Sequence, residues 1–197
     1  MASNPRIPKA EISGILGAAA KHFSKRQLGF VPDPLAVMWH NRRVLRTLLG
    51  MSRKVESWDA CDPQLKSLAH MATVSLVGCS FCLDFGYYQA HNAKLDLAKA
   101  REVPRWREST VFTPLEREVM EYAEAMTHTT SAVTDAMSAR LLDQLGAPAL
   151  VELTAMIALA NMAARMNTAL GIEAQGISSA CGLRPLASPE VRSPVPA

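Results

Sequence analysis

The strongest constraint on the fold of this 197-residue chain is its helix punctuation. Asp33-Pro34 and Asp62-Pro63 each set a capping side chain directly before proline. Proline suits the first helical position because an N–H there would be unpaired in any case. Thr113-Pro114-Leu115-Glu116 adds a capping box with proline at the same position. After Pro63, the residues Leu65, Leu68, Ala69, Ala72 and Leu76 recur at helical spacing, an amphipathic face leading to Gly78; after Pro114, Leu115, Val119, Tyr122, Ala123 and Met126 form a second stripe. There is no hairpin signature and no long alternating run. A low aromatic fraction (6%), ten methionines and long Ala/Leu-rich runs also favour helices over strands. The expectation is an all-α domain.

The same signals set the boundaries. Residues 1–8 read as a loose arm, 9–183 as a single helical domain, and 184–197, with four prolines, as a disordered tail. Helices are expected from Glu11 to Phe23, from Asp33 past Leu49, from Asp62 to Gly78, and from the Cys79 region to about His91. A short one lies between Asn92 and Val103, closed by Pro104. Others run from Thr113, from Thr134-Asp135 to Gly146, and from Pro148 to about Leu170.

With 49% hydrophobic residues the chain has the composition of one globular domain. A net charge of +3 is too mild to argue for nucleic acid or an anionic membrane as partner. The basic clusters Arg42, Arg43, Arg46 and Arg101, Arg105, Arg107 read as solvated helix faces. The first residues lack a charged segment followed by an apolar one. The longest apolar stretch, Leu153 to Ala164, is interrupted by Asn161 and falls short of the roughly 18–20 residues of a membrane span. Four cysteines, only two of them close together, do not form a secreted disulfide scaffold, and a reducing cytoplasm is expected.

Chemistry centres on Val77-Gly78-Cys79-Ser80-Phe81-Cys82. A thiolate at a helix start faces unpaired N–H groups and the positive end of the helix dipole, which lowers its pKa. Redox use of Cys79 and Cys82 is the leading reading. The bland alternative is a pair of buried core cysteines. Zinc is a lesser rival, because the chain has no second CxxC or HxxxH and His70 or His91 would have to complete the set. Among His22, His40, His70, His91 and His128, the residues His70 and His91 gain weight because they lie nine positions either side of the cysteines. Asp84 falls about 200° round a helix from Cys82, which argues against a direct role. Cys61 and Cys181 are isolated, and Glu121, Glu124 and Glu152 read as surface carboxylates. Asn161, Arg165 and Asn167 interrupt an apolar helix and need partners if buried; they would line a pocket or a subunit contact.

The segments Leu65-Lys66-Ser67-Leu68-Ala69 and Gly78-Cys79-Ser80-Phe81-Cys82 resemble the carboxymuconolactone decarboxylase/alkylhydroperoxidase D (AhpD)-like family. So do Glu121–Thr127, Val151–Thr154 and Asn167–Ile172, which look like a longer bacterial branch, and the resemblance spans roughly residues 30 to 180. It implies an AhpD-like helical fold that assembles into trimers or hexamers, and cofactor-free, metal-free thiol chemistry. It also implies that Cys82 is the peroxide-attacking thiolate and Cys79 the resolving one. The family pattern has glutamate twelve residues before the first cysteine and histidine four after the second; here these are Ser67 and Gly86. Another residue must then serve as proton relay, and His91 is the first candidate, His70 the second.

The function expected is a thiol-dependent peroxidase or disulfide oxidoreductase acting on hydroperoxides, re-reduced by a dithiol of the thioredoxin or lipoyl type. Two alternatives stay open: a lyase on a small carboxylated substrate, with Arg165 as anchor, and a non-catalytic redox-sensing helical oligomer.

Overall fold

The computed structural model describes residues 5–188 and, among them, contains helices and turns but no strand. The elements are α1 (Gly14–Leu28), α2 (Asp33–Met38), α3 (Arg42–Glu56), α4 (Pro63–Val77), α5 (Ser80–Asn92), α6 (Leu97–Glu102), α7 (Pro114–Thr127), α8 (Asp135–Ala169) and α9 (Ile177–Ala180). This is the all-α AhpD-like architecture.

Two of the three expected caps form; at the third, α2 starts one residue early with Pro32 as its N-cap, and the buried Asp33 carboxylate pairs with Lys9 at 2.7 Å instead of capping the helix. The Asp62 carboxylate accepts from the amides of Gln64 and Leu65 at 2.8 and 3.1 Å, and Thr113 and Glu116 close a reciprocal capping box at the start of α7. The helix expected from Asp33 past Leu49 is instead two. A 3-10 turn over Trp39–Asn41 ends α2, and the Asn41 side chain caps α3 by accepting from the Val44 amide at 3.2 Å.

α4 departs from its expected one-sided pattern. Leu68, Ala69, Met71, Ala72, Thr73 and Val74 are all essentially sealed from solvent, while Leu76 is exposed. The helix is buried almost all round because α7 and α8 pack on one side of it and α5 on another. Each of its large apolar side chains contributes about 2 kcal/mol of burial energy, so α4 is the rigid element on which the site is mounted. The α7 stripe behaves as expected, with Val119, Tyr122 and Ala123 buried in the main core.

The helix Asp135–Ala169 is long and apolar enough, by length and composition, to cross a membrane. It bends at Gly146, whose φ of 75° and ψ of 162° are not helical, two residues before Pro148. Beyond the bend, Leu153, Ile157, Ala160 and Ala164 are buried in the protein core.

Both ends of the described chain are tied down. Within the expected loose arm, the Arg6 guanidinium donates to the carbonyls of Thr168 and Ala169 at 2.7 Å, and the Arg6 amide to Leu170 at 2.9 Å. A cation thereby closes the unsatisfied carbonyl end of α8. Within the expected disordered tail, the Ala187 amide donates to the Arg101 carbonyl at 3.0 Å, the Arg101 side chain donates to the Pro185 carbonyl at 2.8 Å, and Leu186 packs on the core. Residues 184–188 therefore form a strap across α6; the remainder of that tail and residues 1–4 lie outside the described residues.

Candidate active site

The end of α4 and the start of α5 form one continuous turn. Gly78 has a φ of 78°, a left-handed conformation that closes α4 without strain only for a residue lacking Cβ. The next residue, Cys79, is the N-cap of α5, and its sulfur accepts from the Cys82 amide at 3.2 Å. Three residues on, Cys82 points the same way, and the two sulfurs are joined at 2.07 Å. The pair sits in a second apolar cluster with Val37, Val74, Phe81, Ala160, Ala164, Ile172 and Ile177. Cys79 and Cys82 are only 2% and 6% exposed.

Access is asymmetric. A cleft of about 350 Å³ is lined by Cys79, Ser80, Gly78 and Leu83 on one side and by Pro104 and strap residues Leu186–Ser188 on the other. Cys82 does not line it. Its sulfur turns inward to α8, where Asn167 Nδ2 donates to it at 3.3 Å. A larger cleft of about 740 Å³, beside Tyr87, Arg101 and Arg184, contains no cysteine and lies away from the pair.

The two relay positions that depart from the family pattern are Ser67, half-buried on α4, and Gly86, buried on α5 one turn after Cys82. The space beside Gly86 is filled. A Cβ there would lie 3.0 Å from Nδ1 and 3.1 Å from Cε1 of His70. An imidazole thus stands against the α5 face that carries Cys82, supplied by α4 rather than by α5 itself. Burial pushes the pKa of His70 down to about 4, so its ring is neutral at physiological pH.

His91 is placed differently. It is exposed in the last turn of α5, about 13 Å along the helix axis from Cys82 and half a turn round. Helix geometry alone keeps it from the sulfurs of its own chain. His22, His40 and His128 are also exposed, and the His40 ring is bonded to the Pro8 carbonyl at 2.8 Å.

Other polar residues find structural partners. Asp84 accepts from the amides of Ile177 and Ser178 at 2.7 and 3.0 Å and from the Ser178 hydroxyl, so it anchors α9 to α5. Arg165 donates to the Thr127 carbonyl at 2.8 Å, and Asn161 to the Thr127 hydroxyl at 3.0 Å; both brace the end of α7. Glu152, expected at the surface, is buried and paired with Lys66 at 2.6 Å. Its burial would raise its pKa, but the hydrogen bonds from Lys66 and from the amides of Ala60 and Cys61 outweigh this and lower it. Nearby Cys61 is sealed, and burial together with Glu152 pushes its thiol up to about 11. Arg107 pairs with Glu124 at 2.5 Å, and Arg101 and Arg105 flank Glu102, so the second basic cluster is largely neutralised. Among the described residues, no three His, Cys, Asp or Glu side chains converge as metal ligands.

The fold and the cysteine pair together define a helical CxxC protein with an AhpD-like fold. Residues 42–125 match the carboxymuconolactone decarboxylase family. An uncharacterized protein of Escherichia coli (strain K12), YnjA, is 39% identical over 116 residues, which span 59% of this chain and 64% of that protein. The match therefore covers just under two thirds of that relative's length. Among solved structures, a cysteine-to-alanine variant of the debrominase Bmp8, in complex with 2,3,4-tribromopyrrole, is 18% identical with a TM-score of 0.77 over 91% of this chain and 97% of that one. A peroxidase-related protein from Ralstonia eutropha JMP134, an alkylhydroperoxidase AhpD core, is 15% identical with a TM-score of 0.75 over 89% and 94%. At such identities the likeness is one of fold, and the fold carries more than one activity.

Proposed function

We propose that this protein is a thiol-dependent peroxidase that reduces hydroperoxides with Cys82 and Cys79 in a reducing cytoplasm. The observation that carries the reading is the Cys79–Cys82 disulfide at the N-terminus of α5, beside a cleft that Cys79 lines. In the reduced protein, the Cys82 thiolate attacks the terminal oxygen of the hydroperoxide. The O–O bond breaks, the alcohol leaves with a proton, and Cys82 becomes a sulfenic acid. The Cys79 thiol then displaces water from that sulfenic acid and forms the disulfide. An external dithiol, of the thioredoxin or lipoyl type, attacks Cys79, the sulfur that lines the cleft, and Cys82 departs as a thiolate at the helix N-terminus.

His70 is the replacement relay in this reading. Its neutral ring stands where a side chain at position 86 would project, so it takes the place of the histidine the family pattern puts on α5. The lyase alternative is disfavoured because Arg165, its proposed carboxylate anchor, is engaged with the end of α7. Self-association into trimers or hexamers belongs to the same proposal, supported by the exposed Ile15, Leu16 and Phe23 on α1.

The test is organic hydroperoxide consumption with dihydrolipoamide as electron source. Wild type turns over, Cys82→Ser does not, and Cys79→Ser forms a single sulfenic acid and stops. Full turnover by Cys82→Ser would refute the assignment.

A further inference from the structure

The thiol mechanism leaves one buried polar group beside the sulfur unexplained. Asn167, on α8, is 6% exposed. Its Nδ2 donates to Cys82 Sγ at 3.3 Å, while its Oδ1 is buried with no hydrogen-bond partner. A buried acceptor without a donor costs stability, and such a group in a folded protein calls for an explanation. The cluster that holds Cys82, including Val74, Ala160, Ala164 and Ile172, is apolar at those side chains and offers no donor from them. The orphaned oxygen therefore lies beside the sulfur that attacks the peroxide in this reading.

We propose that Asn167 is a catalytic residue whose two amide ends act on the two atoms that react, a role that rests on the peroxidase reading. Nδ2–H donates to the Cys82 thiolate and stabilises it. Oδ1 accepts the O–H of the hydroperoxide's terminal oxygen, the atom that Cys82 attacks. The two ends lie side by side on one planar group, as the sulfur and the incoming oxygen must. In the step itself the S–O bond forms and the O–O bond breaks, the hydroxyl passes to sulfur with its own proton, and the alkoxide takes a proton from solvent water to leave as alcohol. The same Oδ1 then receives the O–H of the sulfenic acid. The carboxamide is neutral throughout, so it supplies at Cys82 part of what the absent charged relay at Ser67 and Gly86 does not.

The experiment compares two reagents on the full, reduced chain, with Cys82 followed by site-resolved mass spectrometry. Iodoacetamide reads the thiolate and carries no peroxide O–H; cumene hydroperoxide needs both amide ends. In Asn167→Ala, the pH midpoint of Cys82 alkylation rises by about one unit, and in the isosteric Asn167→Asp, which sets a carboxylate against the sulfur, it rises further. Above all midpoints, where every Cys82 is thiolate, Asn167→Ala alkylates within about twofold of wild type but is oxidised at least about tenfold more slowly. Should the Ala variant fail to fold, the near-isosteric Asn167→Leu, which lacks both amide ends, takes its place in both comparisons. Unchanged midpoints in the folded variants would overturn the role of Nδ2, and equal effects on the two reagents would overturn that of Oδ1. A wild type inert to hydroperoxide would remove the peroxidase reading and the Oδ1 role with it, while the iodoacetamide midpoints still decide the role of Nδ2.

Discussion

His70 yields the most demanding prediction, because its neutrality has a thermodynamic signature independent of turnover. An unfolded histidine takes its proton near the ordinary imidazole value of 6.5, whereas burial makes the folded ring resist until about pH 4. Between those values the unfolded chain binds a proton that the folded chain does not. Stability from this residue is thus complete above pH 6.5, falls as the pH drops towards 4, and levels off below. The gap of two to three pKa units corresponds to about 3 kcal/mol. Urea unfolding of wild type and His70→Leu, both in the disulfide form, measures it as a difference in which other titrating groups cancel. From pH 7.5 to pH 4, wild type should lose about 3 kcal/mol relative to the variant. If the two stabilities run parallel across that range, the ring is solvated or paired, and it is not the neutral acceptor that the relay needs. The disulfide form matters: a Cys82 thiolate one turn away would favour the imidazolium and mask the effect.

Four further outcomes follow from the geometry. His70→Ala should slow hydroperoxide turnover by about a hundredfold, while His91→Ala, exposed and half a turn away, leaves it unchanged; steady-state rates decide between them. Gly86→Ala sets a Cβ 3.0 Å from His70 Nδ1, and in urea unfolding the same substitution should be more favourable by about 1–2 kcal/mol in a His70→Ala background than in wild type, because the crowding is then gone and only the helix preference for Ala remains. Asp84→Ala frees two amides and a hydroxyl at α9 and should cost about 3 kcal/mol, visible also as faster hydrogen exchange over residues 176–181. Glu152→Ala leaves the Lys66 ammonium uncompensated and should cost about 3 kcal/mol, whereas replacing both by apolar residues recovers most of it.

How much of this was legible beforehand depended on range. Local signals held: Asp62-Pro63 and Thr113-Pro114-Leu115-Glu116 start helices because a cap needs only its own few residues. The break at Trp39–Asn41 is not legible because Asn41 is followed by Arg42-Arg43, with neither a proline nor an acidic residue to mark a first turn. Nine residues of spacing made His70 and His91 equivalent in sequence. Only the packing of α4 on α5 at Gly86 separates them, since it turns one ring inward and leaves the other at the surface. Asn167 was singled out as a polar interruption of an apolar helix, but its partner lies 85 positions away, beyond any periodicity argument. The strap over residues 184–188 was obscured by its own composition, because proline-rich segments dock through backbone bonds such as Ala187 to Arg101 that sequence does not announce.

The measurement that bears most directly on the central claim is a single-turnover stoichiometry. Fully reduced protein is mixed with limiting cumene hydroperoxide, and each cysteine is then assigned as thiol or disulfide by differential alkylation. The account predicts one alcohol formed per Cys79–Cys82 disulfide, with the sealed Cys61 and the exposed Cys181 still thiols. Persistence of the hydroperoxide with Cys79 and Cys82 both reduced would contradict it, as would oxidation confined to Cys181.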